Sequence, residues 1–260
     1  MTIINHKYKF IFVKTRKTAG TSLEIALSKF CNKNDLVTSI KPNDEKLRQN
    51  MNFQGPTNNC YIKYFINLRH IFAVLKDLIK VLPFSKKIYN YKSSPRFDFN
   101  FPFFASWEKF TEHNDFLDLK KKISSKIFDN YLKFTLVRHP YDLMISHFWW
   151  QVKKKEFSIK SGFNNFVKNE SKPFFMSHSR ILNIEDLSFD QIIKFENLEN
   201  DLIELSNSLK LPENLYYVFK NIKTKHNQRV DKSLSLLDRE SKEIIYHDWK
   251  KYFNTFGYQK

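Results

Sequence analysis

The chain has 260 residues, 42% of them hydrophobic, which is enough for one large domain or two small ones with a sizeable core. Its 44 Lys and Arg against 27 Asp and Glu give a formal net charge of +17. That excess favours an anionic partner: a nucleotide, an acidic glycan, a nucleic acid or a membrane surface. The 2 cysteines indicate neither a disulfide framework nor a metal site. Because the sequence contains no signal-peptide pattern and no apolar run near the ~20 residues of a membrane helix, we expect a cytoplasmic protein.

The first predicted elements are a strand, a tight turn and a helix. Phe10–Val13 is an aromatic and β-branched run, which predicts a buried strand. The apolar residues that follow Thr21 recur at a spacing typical of one face of an amphipathic helix. Thr21 and Glu24 fit a capping box at the start of that helix. Gly20 lies just before it, where the backbone can bend sharply and approach a ligand.

The turn carries groups that suit an oxyanion. Lys17 supplies an ammonium group, and Thr18, Thr21 and Ser22 supply hydroxyls. The N-terminus of the following helix adds unpaired N–H groups and a positive dipole. The sequence therefore predicts a phosphate or sulfate site here. The alternative is a plain basic turn, for which such a concentration of hydroxyls around one glycine would be wasteful.

The P-loop of nucleotide triphosphatases, Gly-x-x-x-x-Gly-Lys-Ser/Thr, does not match, because the lysine here precedes the only glycine. The segment instead resembles the 5′-phosphosulfate loop of sulfotransferases that use 3′-phosphoadenosine 5′-phosphosulfate (PAPS). In the carbohydrate branch, of Golgi and bacterial family-2 type, this loop commonly reads Pro-Lys-Thr-Ala-Gly-Thr-Ser. Residues 17–22 are identical to it, and an arginine stands in place of the proline. The resemblance implies that PAPS is bound by Arg16, Lys17, Thr18, Ala19, Gly20, Thr21 and Ser22.

A second strand, turn and helix begins at residue 131. Residues 131–137 read as a strand, and Pro140 suits the first position of the helix that follows. This segment resembles the second signature of the same family, Phe-x-Phe-Val-Arg-Asn-Pro-x-Asp, with His139 in place of the asparagine. The resemblance implies that Arg138 and Ser146 hold the 3′-phosphate, and a planar guanidinium suits phosphate oxygens.

A long insertion separates the two signatures. Residues 36–40 read as a short strand, and residues 41–57 are polar and predict a loop. Residues 61–82 show helical periodicity, either as a basic amphipathic helix on a membrane or acidic ligand, or as a helix with one face in the core. Residues up to 102 show no clear period. We expect the insertion, about 41–105, to carry acceptor contacts.

The remaining segments predict helices from Ser106 onward, a strand over 188–195 and a helix to about residue 209. Glu196 is interpreted as a scaffold residue. A last helix begins after Asp238 and ends at Gly257. The resemblance makes Arg229 a candidate phosphate contact in a polar loop, and a solvated basic loop is an equally good interpretation.

Sulfuryl transfer requires a cation at the leaving oxygen and a base for the acceptor hydroxyl. Lys17 is the candidate cation. The resemblance places the base shortly before the second signature, where His113 lies. Glu112 or Asp115 is expected to orient this histidine or to replace it.

The resemblance implies a single α/β domain, 1–260, with a P-loop-like parallel sheet flanked by helices on both faces. It implies a PAPS-dependent sulfotransferase that uses no metal and acts on a hydroxyl acceptor. We expect this acceptor to be a glycan, and the basic net charge of the chain would suit an anionic glycan. Two other classes stay open. One is a nucleotide kinase or triphosphatase, and the other is a non-enzymatic nucleic-acid binder, which the interleaved lysines and aromatic residues favour. We expect no nucleic-acid partner, and the oligomeric state cannot be predicted.

Overall fold

The computed structural model describes residues 2–58, 60–64, 105–110, 113–154, 156, 162–222 and 236–260. The strands are β1 (Thr2–Asn5), β2 (Phe10–Val13), β3 (Leu36–Val37), β4 (Cys60–Tyr64), β5 (Ala105–Lys109), β6 (Leu132–Val137) and β7 (Gln191–Lys194). The helices are α1 (Gly20–Ser28), α2 (Pro42–Asn50), α3 (Phe116–Lys122), α4 (Ser125–Asn130), α5 (Pro140–Lys153), α6 (Phe163–Leu182), α7 (Leu198–Ser208), α8 (Leu215–Lys220) and α9 (Arg239–Phe256). A 3-10 turn, Phe195–Asn197, joins β7 to α7.

The chain forms two compact units. The larger consists of Met1–Asn58 and Thr111–Lys260, and the smaller of Asn59–Phe110. The smaller unit contains the antiparallel pair β4 and β5, in which Ile62 lies opposite Trp107. The smaller unit ends at Phe110, close to the predicted end of the insertion at about residue 105, but it begins at Asn59, well after the predicted start at residue 41.

A mixed five-stranded sheet, in the order β3-β1-β2-β6-β7, forms the centre of the larger unit. β2, β6 and β7 are mutually parallel, and β1 is antiparallel to both β2 and β3. The predicted parallel sheet is therefore wrong in one strand. The four-residue β1 reverses through residues 6–9 and pairs directly with β2, which a short hairpin connection permits only in an antiparallel pair.

Two groups of helices cover this sheet. Phe134 and Leu136 of β6 pack in one hydrophobic cluster with α1, α7 and α8, and Val137 packs in another with α5, α6 and α9. Because successive side chains of a strand point to opposite faces, the two clusters lie on opposite sides of β6. The prediction of an α/β protein with helices on both faces is confirmed.

Helix α1 differs from its prediction in two respects. All nine of its residues are buried, so it is not amphipathic, and its N-cap is Ala19 without a side-chain cap hydrogen bond. The predicted capping box is wrong because Glu24 does not reach back to the helix start. Its carboxylate is fully buried and lies near Lys14 and Arg48 instead.

Three further elements depart from the sequence analysis. The segment predicted as a loop over 41–57 contains α2, whose signals are Pro42 at its first turn, two acidic residues in that turn and Arg48 in its last turn. The helix predicted from residue 61 is wrong at its start, where the chain forms β4, and the rest of that predicted helix, 65–82, lies outside the described residues. The helical segments predicted from residue 106 are likewise wrong at their start, where the chain forms β5. The strand predicted over 188–195 is confirmed in its centre as β7.

The end of the chain is as predicted. Asp238 caps α9 by accepting a hydrogen bond from the Ser241 N–H, and Gly257 ends the helix in the left-handed conformation at φ 64°. None of the helices in the described part of the chain is long and apolar enough to cross a membrane.

Candidate functional site

Two turns meet at one edge of the sheet. β2 and β6 are adjacent and parallel, and each leads through a turn into a helix. The first turn, residues 14–19, and the second turn, residues 138–139, therefore leave the sheet at the same edge. Arg138 NH1 donates a hydrogen bond to the Lys17 carbonyl at 3.2 Å. The structure thus brings the two sequence-predicted phosphate-binding segments into direct contact.

The backbone of the first turn is held in an uncommon conformation. Lys17 and Ala19 have φ values of 62° and 65°, in the left-handed region that non-glycine residues seldom adopt. The Thr18 hydroxyl lies 2.9 Å from the Thr15 hydroxyl, which in turn donates to the Leu136 carbonyl. These buried contacts hold the turn on the sheet. The Thr18 hydroxyl, expected to face an anion, faces the core.

Gly20 is required for a reason other than the one predicted. Its φ is not in the left-handed region, because Lys17 and Ala19 make the bend. A Cβ atom at Gly20 would lie 2.6 Å from Cγ and 3.2 Å from Cδ of Lys14. The glycine therefore provides the space in which the Lys14 side chain crosses the start of α1.

A buried ionic cluster lies beside this crossing. Lys14 Nζ is 3.6 Å from one Glu24 oxygen, Arg48 NH1 is 4.0 Å from the other, and Arg48 NH2 is 2.5 Å from Glu45. Burial raises the pKa of Glu24 to about 7, although Lys14 and Arg48 act in the opposite direction. The cluster links the first turn to α2, and the sequence analysis did not foresee it.

Arg138 is fixed on several sides. Its guanidinium contacts Asp142 through Nε and NH2, and its Cζ lies 3.7 Å from the centre of the Phe195 ring. The residue is only 7% exposed. Ser146 lies two turns further along α5 and is half-buried. The guanidinium is thus held in one orientation by protein groups before any ligand binds.

The end of the chain supports the second turn. Glu196 accepts hydrogen bonds from the His139 N–H at 2.7 Å and from the Tyr258 hydroxyl at 2.9 Å. The Arg138 N–H donates to the Tyr252 hydroxyl at 3.3 Å. The His139 ring, which replaces the expected asparagine, lies 3.0 Å from the Gln259 carbonyl. The scaffold interpretation of Glu196 is therefore confirmed, and His139 has a structural partner.

His113 lies against the first turn. Its Nδ1 is 3.3 Å from the Lys14 carbonyl oxygen. Burial is the largest cause that lowers the pKa of His113 to about 2, and nearby positive charges, among them Lys14 and Arg16, contribute to the same shift. The ring is therefore neutral and able to accept a proton, but it is a weak base, since an efficient base has a pKa near the working pH.

The other candidate base and phosphate-binding residues differ in their contacts and in their exposure. Asp115 is the N-cap residue of α3, where its side chain makes no cap hydrogen bond, and it pairs with Arg180 Nε at 2.9 Å. Glu112 and Arg229 lie outside the described residues. Arg16 is exposed, whereas Thr21 and Ser22 are largely buried in the first turn of α1.

Two side chains at this edge were missed. His178 on α6 is fully buried, and its Nε2 lies 2.9 Å from the Arg16 carbonyl oxygen, so this ring holds the backbone of the first turn. Trp150, near the end of α5, is half-buried with Lys17 Nζ 5.4 Å from its ring centre. No local pattern marks either residue, because its partner in the first turn lies more than a hundred positions away in sequence.

No protein-family model matches the chain, and neither the curated proteins nor the solved structures contain a significantly similar one. Within the residues that the structure describes, no group of three or more His, Cys, Asp or Glu side chains is placed to hold a metal ion.

Proposed function

We propose that this protein is a PAPS-dependent sulfotransferase that acts on a hydroxyl acceptor. The observation that carries the proposal is the contact between Arg138 and the Lys17 carbonyl. It joins two strand–turn–helix units, each with a cation and a helix start, at neighbouring parallel strands. Two anionic groups of one nucleotide can bind at such a pair of sites.

In the proposed mechanism the two turns bind different groups of the nucleotide. The first turn would hold the 5′-phosphosulfate in a P-loop-like manner with the Lys17 ammonium and backbone N–H groups. The second would hold the 3′-phosphate with Arg138 and Ser146. During transfer, the acceptor oxygen forms a bond to sulfur while the bond from sulfur to the bridging oxygen breaks. Lys17 stabilises the charge on the departing phosphate, and His113 takes the acceptor proton.

The acceptor in this proposal is a glycan, because the resemblance is to the carbohydrate branch of the family and the chain carries a formal charge of +17. No metal takes part in the proposed mechanism. Fixed cations and hydroxyls supply the charge stabilisation that magnesium provides in kinases.

Calorimetric titration of the full chain tests the proposal with three probes: 3′-phosphoadenosine 5′-phosphate (PAP), ATP with Mg²⁺, and a single-stranded oligonucleotide. We expect PAP to bind with a stoichiometry of one and at least about tenfold more tightly than ATP, because ATP has no 3′-phosphate for Arg138. The PAP affinity should change little with moderate salt. Oligonucleotide binding through the basic surface should weaken steeply with salt.

Stronger binding of ATP that requires Mg²⁺ would identify the protein as a nucleotide kinase or triphosphatase instead. Binding of the oligonucleotide alone, without PAP, would identify a nucleic-acid binder.

A further inference from the structure

A positively charged aromatic surface lies next to the first turn. Trp150 has Lys154 Nζ at 3.8 Å and Lys41 Nζ at 5.8 Å from its ring centre. We call these three residues the Trp150 surface. Its members come from the end of α5 and from the residue before α2, so two separate elements place their cations at one half-buried indole. None of the three has a part in the proposed chemistry.

The Trp150 surface adjoins the group that would face the transferred sulfuryl. Lys17 Nζ lies 5.4 Å from the same indole centre. A molecule that contacts Trp150 is therefore close to the Lys17 ammonium group. This position distinguishes the Trp150 surface from the proposed 3′-phosphate side, where Arg138 contacts Asp142 and Phe195.

The surroundings of this surface are positive. His147 lies one turn before Trp150, and its ring is stacked on that of Phe174 at 4.0 Å. Burial is the largest cause that lowers the pKa of His147 to about 3, and Lys17 and Lys154 are among the charges that contribute to this shift. The Glu170 carboxylate is 3.4 Å from His147, and the Glu156 carboxylate is 3.0 Å from Lys154. Lys154 and Glu156 are both well exposed, so solvent screens their pairing.

From this arrangement we infer that the Trp150 surface is an acceptor subsite for an acidic saccharide, with the sugar ring against Trp150 and its carboxylate or sulfate between Lys41 and Lys154. An acidic sugar presents an apolar C–H face and an anionic group within one ring, and the indole and the two ammonium groups match these two features. Lys154 Nζ lies over the indole, so in this proposal its exposed side chain moves from the ring to the anionic group when the sugar binds. The inference rests on the proposed function for the direction of approach, and it names the class of acceptor.

Equilibrium binding to the full chain tests the inference without turnover. The first probe is a hexasaccharide of alternating glucuronate and N-acetylhexosamine, and the second is the same hexasaccharide with its carboxylates reduced to alcohols. The third is an acidic peptide of equal charge. PAP is titrated separately, so that a failure of the nucleotide proposal is seen independently of the saccharide result.

We expect the acidic hexasaccharide to bind the wild type at least about tenfold more tightly than its reduced form, and more tightly than the peptide. The double variant Lys41→Ala with Lys154→Ala should lose about tenfold or more of that affinity while its PAP affinity stays within about twofold. The matched control replaces Lys242 and Lys250, two exposed lysines of α9, and should retain the affinity for every probe.

Trp150→Phe should keep part of the saccharide affinity and Trp150→Leu should lose most of it. Melting temperatures identify any variant that fails to fold, and the lysine variants test the inference without that risk. Equal binding of the acidic and reduced hexasaccharides would overturn the inference. So would an equal loss in the control variant, or a loss of PAP affinity with Lys41→Ala and Lys154→Ala.

Discussion

At the scale of single residues, the structure changes the meaning of Gly20. Its lack of a side chain gives room for Lys14, whose Cγ would lie 2.6 Å from an added Cβ atom. Because Lys14 is buried and its Cγ atom is close to the backbone, this atom can move away only at a cost in free energy. We expect Gly20→Ala to lower the free energy of unfolding by about 1–3 kcal/mol, although alanine is the better helix former.

Denaturant unfolding checks this expectation, with Gly55→Ala as its control. A Cβ atom at Gly55 would meet nothing within 4 Å. Equal stabilities of the two variants would show that Lys14 does not confine Gly20.

Glu24 should make stability depend on pH. Its folded-state pKa of about 7 lies above the ordinary value of 4.5 because the carboxyl is buried. Below pH 4.5 both states hold the proton, and the contribution to stability is complete. As the pH rises from 4.5 to 7, the unfolded state releases this proton first, so the free energy of unfolding falls. Above that range the loss is complete.

The comparison of the wild type with Glu24→Gln isolates this effect, because other titrating groups cancel. We expect the stability of the wild type relative to the variant to fall between pH 4.5 and 7 by on the order of 3 kcal/mol. The exposed Glu204→Gln serves as the control and should show a constant difference. A constant difference for Glu24→Gln would mean that folding does not raise the pKa of this carboxyl.

The candidate base His113 permits a kinetic prediction. His113→Ala should reduce turnover by roughly 10²–10⁴-fold and leave the PAP affinity unchanged, because a base acts on the proton rather than on the nucleotide. Since burial keeps the pKa of His113 far below its ordinary 6.5, kcat/KM should not fall on acidification from about pH 7 to about pH 5.

The control for this experiment is His247→Ala, which removes a histidine with an 89% exposed side chain. Loss of stability with normal turnover per folded molecule would show that His113 is a structural partner of the Lys14 carbonyl. Loss of turnover in Asp115→Ala but not in His113→Ala would identify Asp115 as the base instead.

At the scale of elements, Arg138 connects β6 and α5 to the first turn. If the Arg138 guanidinium binds the 3′-phosphate, Arg138→Lys should weaken the affinity for PAP by about tenfold or more. The affinity for adenosine 5′-phosphosulfate, which has no 3′-phosphate, should fall much less. Calorimetry with both nucleotides gives the comparison, and Arg239→Lys on the exposed start of α9 is the control. Equal losses for both nucleotides would mean that Arg138 mainly holds the Lys17 carbonyl.

The elements also show how far the sequence could be interpreted. β2, β6 and the end of α9 follow from local patterns: an apolar run, a second apolar run and a glycine after the last turn. α2 had its own signals in Pro42 and Arg48, but its polar composition favoured a loop. The reversal of β1 could not be predicted, because a strand of four residues gives no sign of its direction.

At the scale of the whole molecule, the two turns could be predicted from the sequence but not their contact. Each segment proposed to bind phosphate has a local pattern of cation, hydroxyl and helix start. The hydrogen bond from Arg138 to Lys17 joins residues 121 positions apart, and that from His178 to Arg16 joins residues 162 apart. Such contacts depend on how the sheet and helices pack, which periodicity does not encode.

The measurement that tests the central claim most directly is calorimetric titration of PAP in EDTA, comparing the wild type with the double variant Lys17→Ala and Thr21→Ala. Because Lys17 supplies a fixed charge and Thr21 of α1 a hydroxyl in the proposed site, we expect the wild type to bind PAP without metal and the variant to bind it about a hundredfold more weakly. Lys242→Ala with Thr255→Ala, a matched pair on the exposed face of α9, should bind as the wild type does. Unchanged affinity in the first variant, or wild-type binding that needs a metal, would contradict the proposed function.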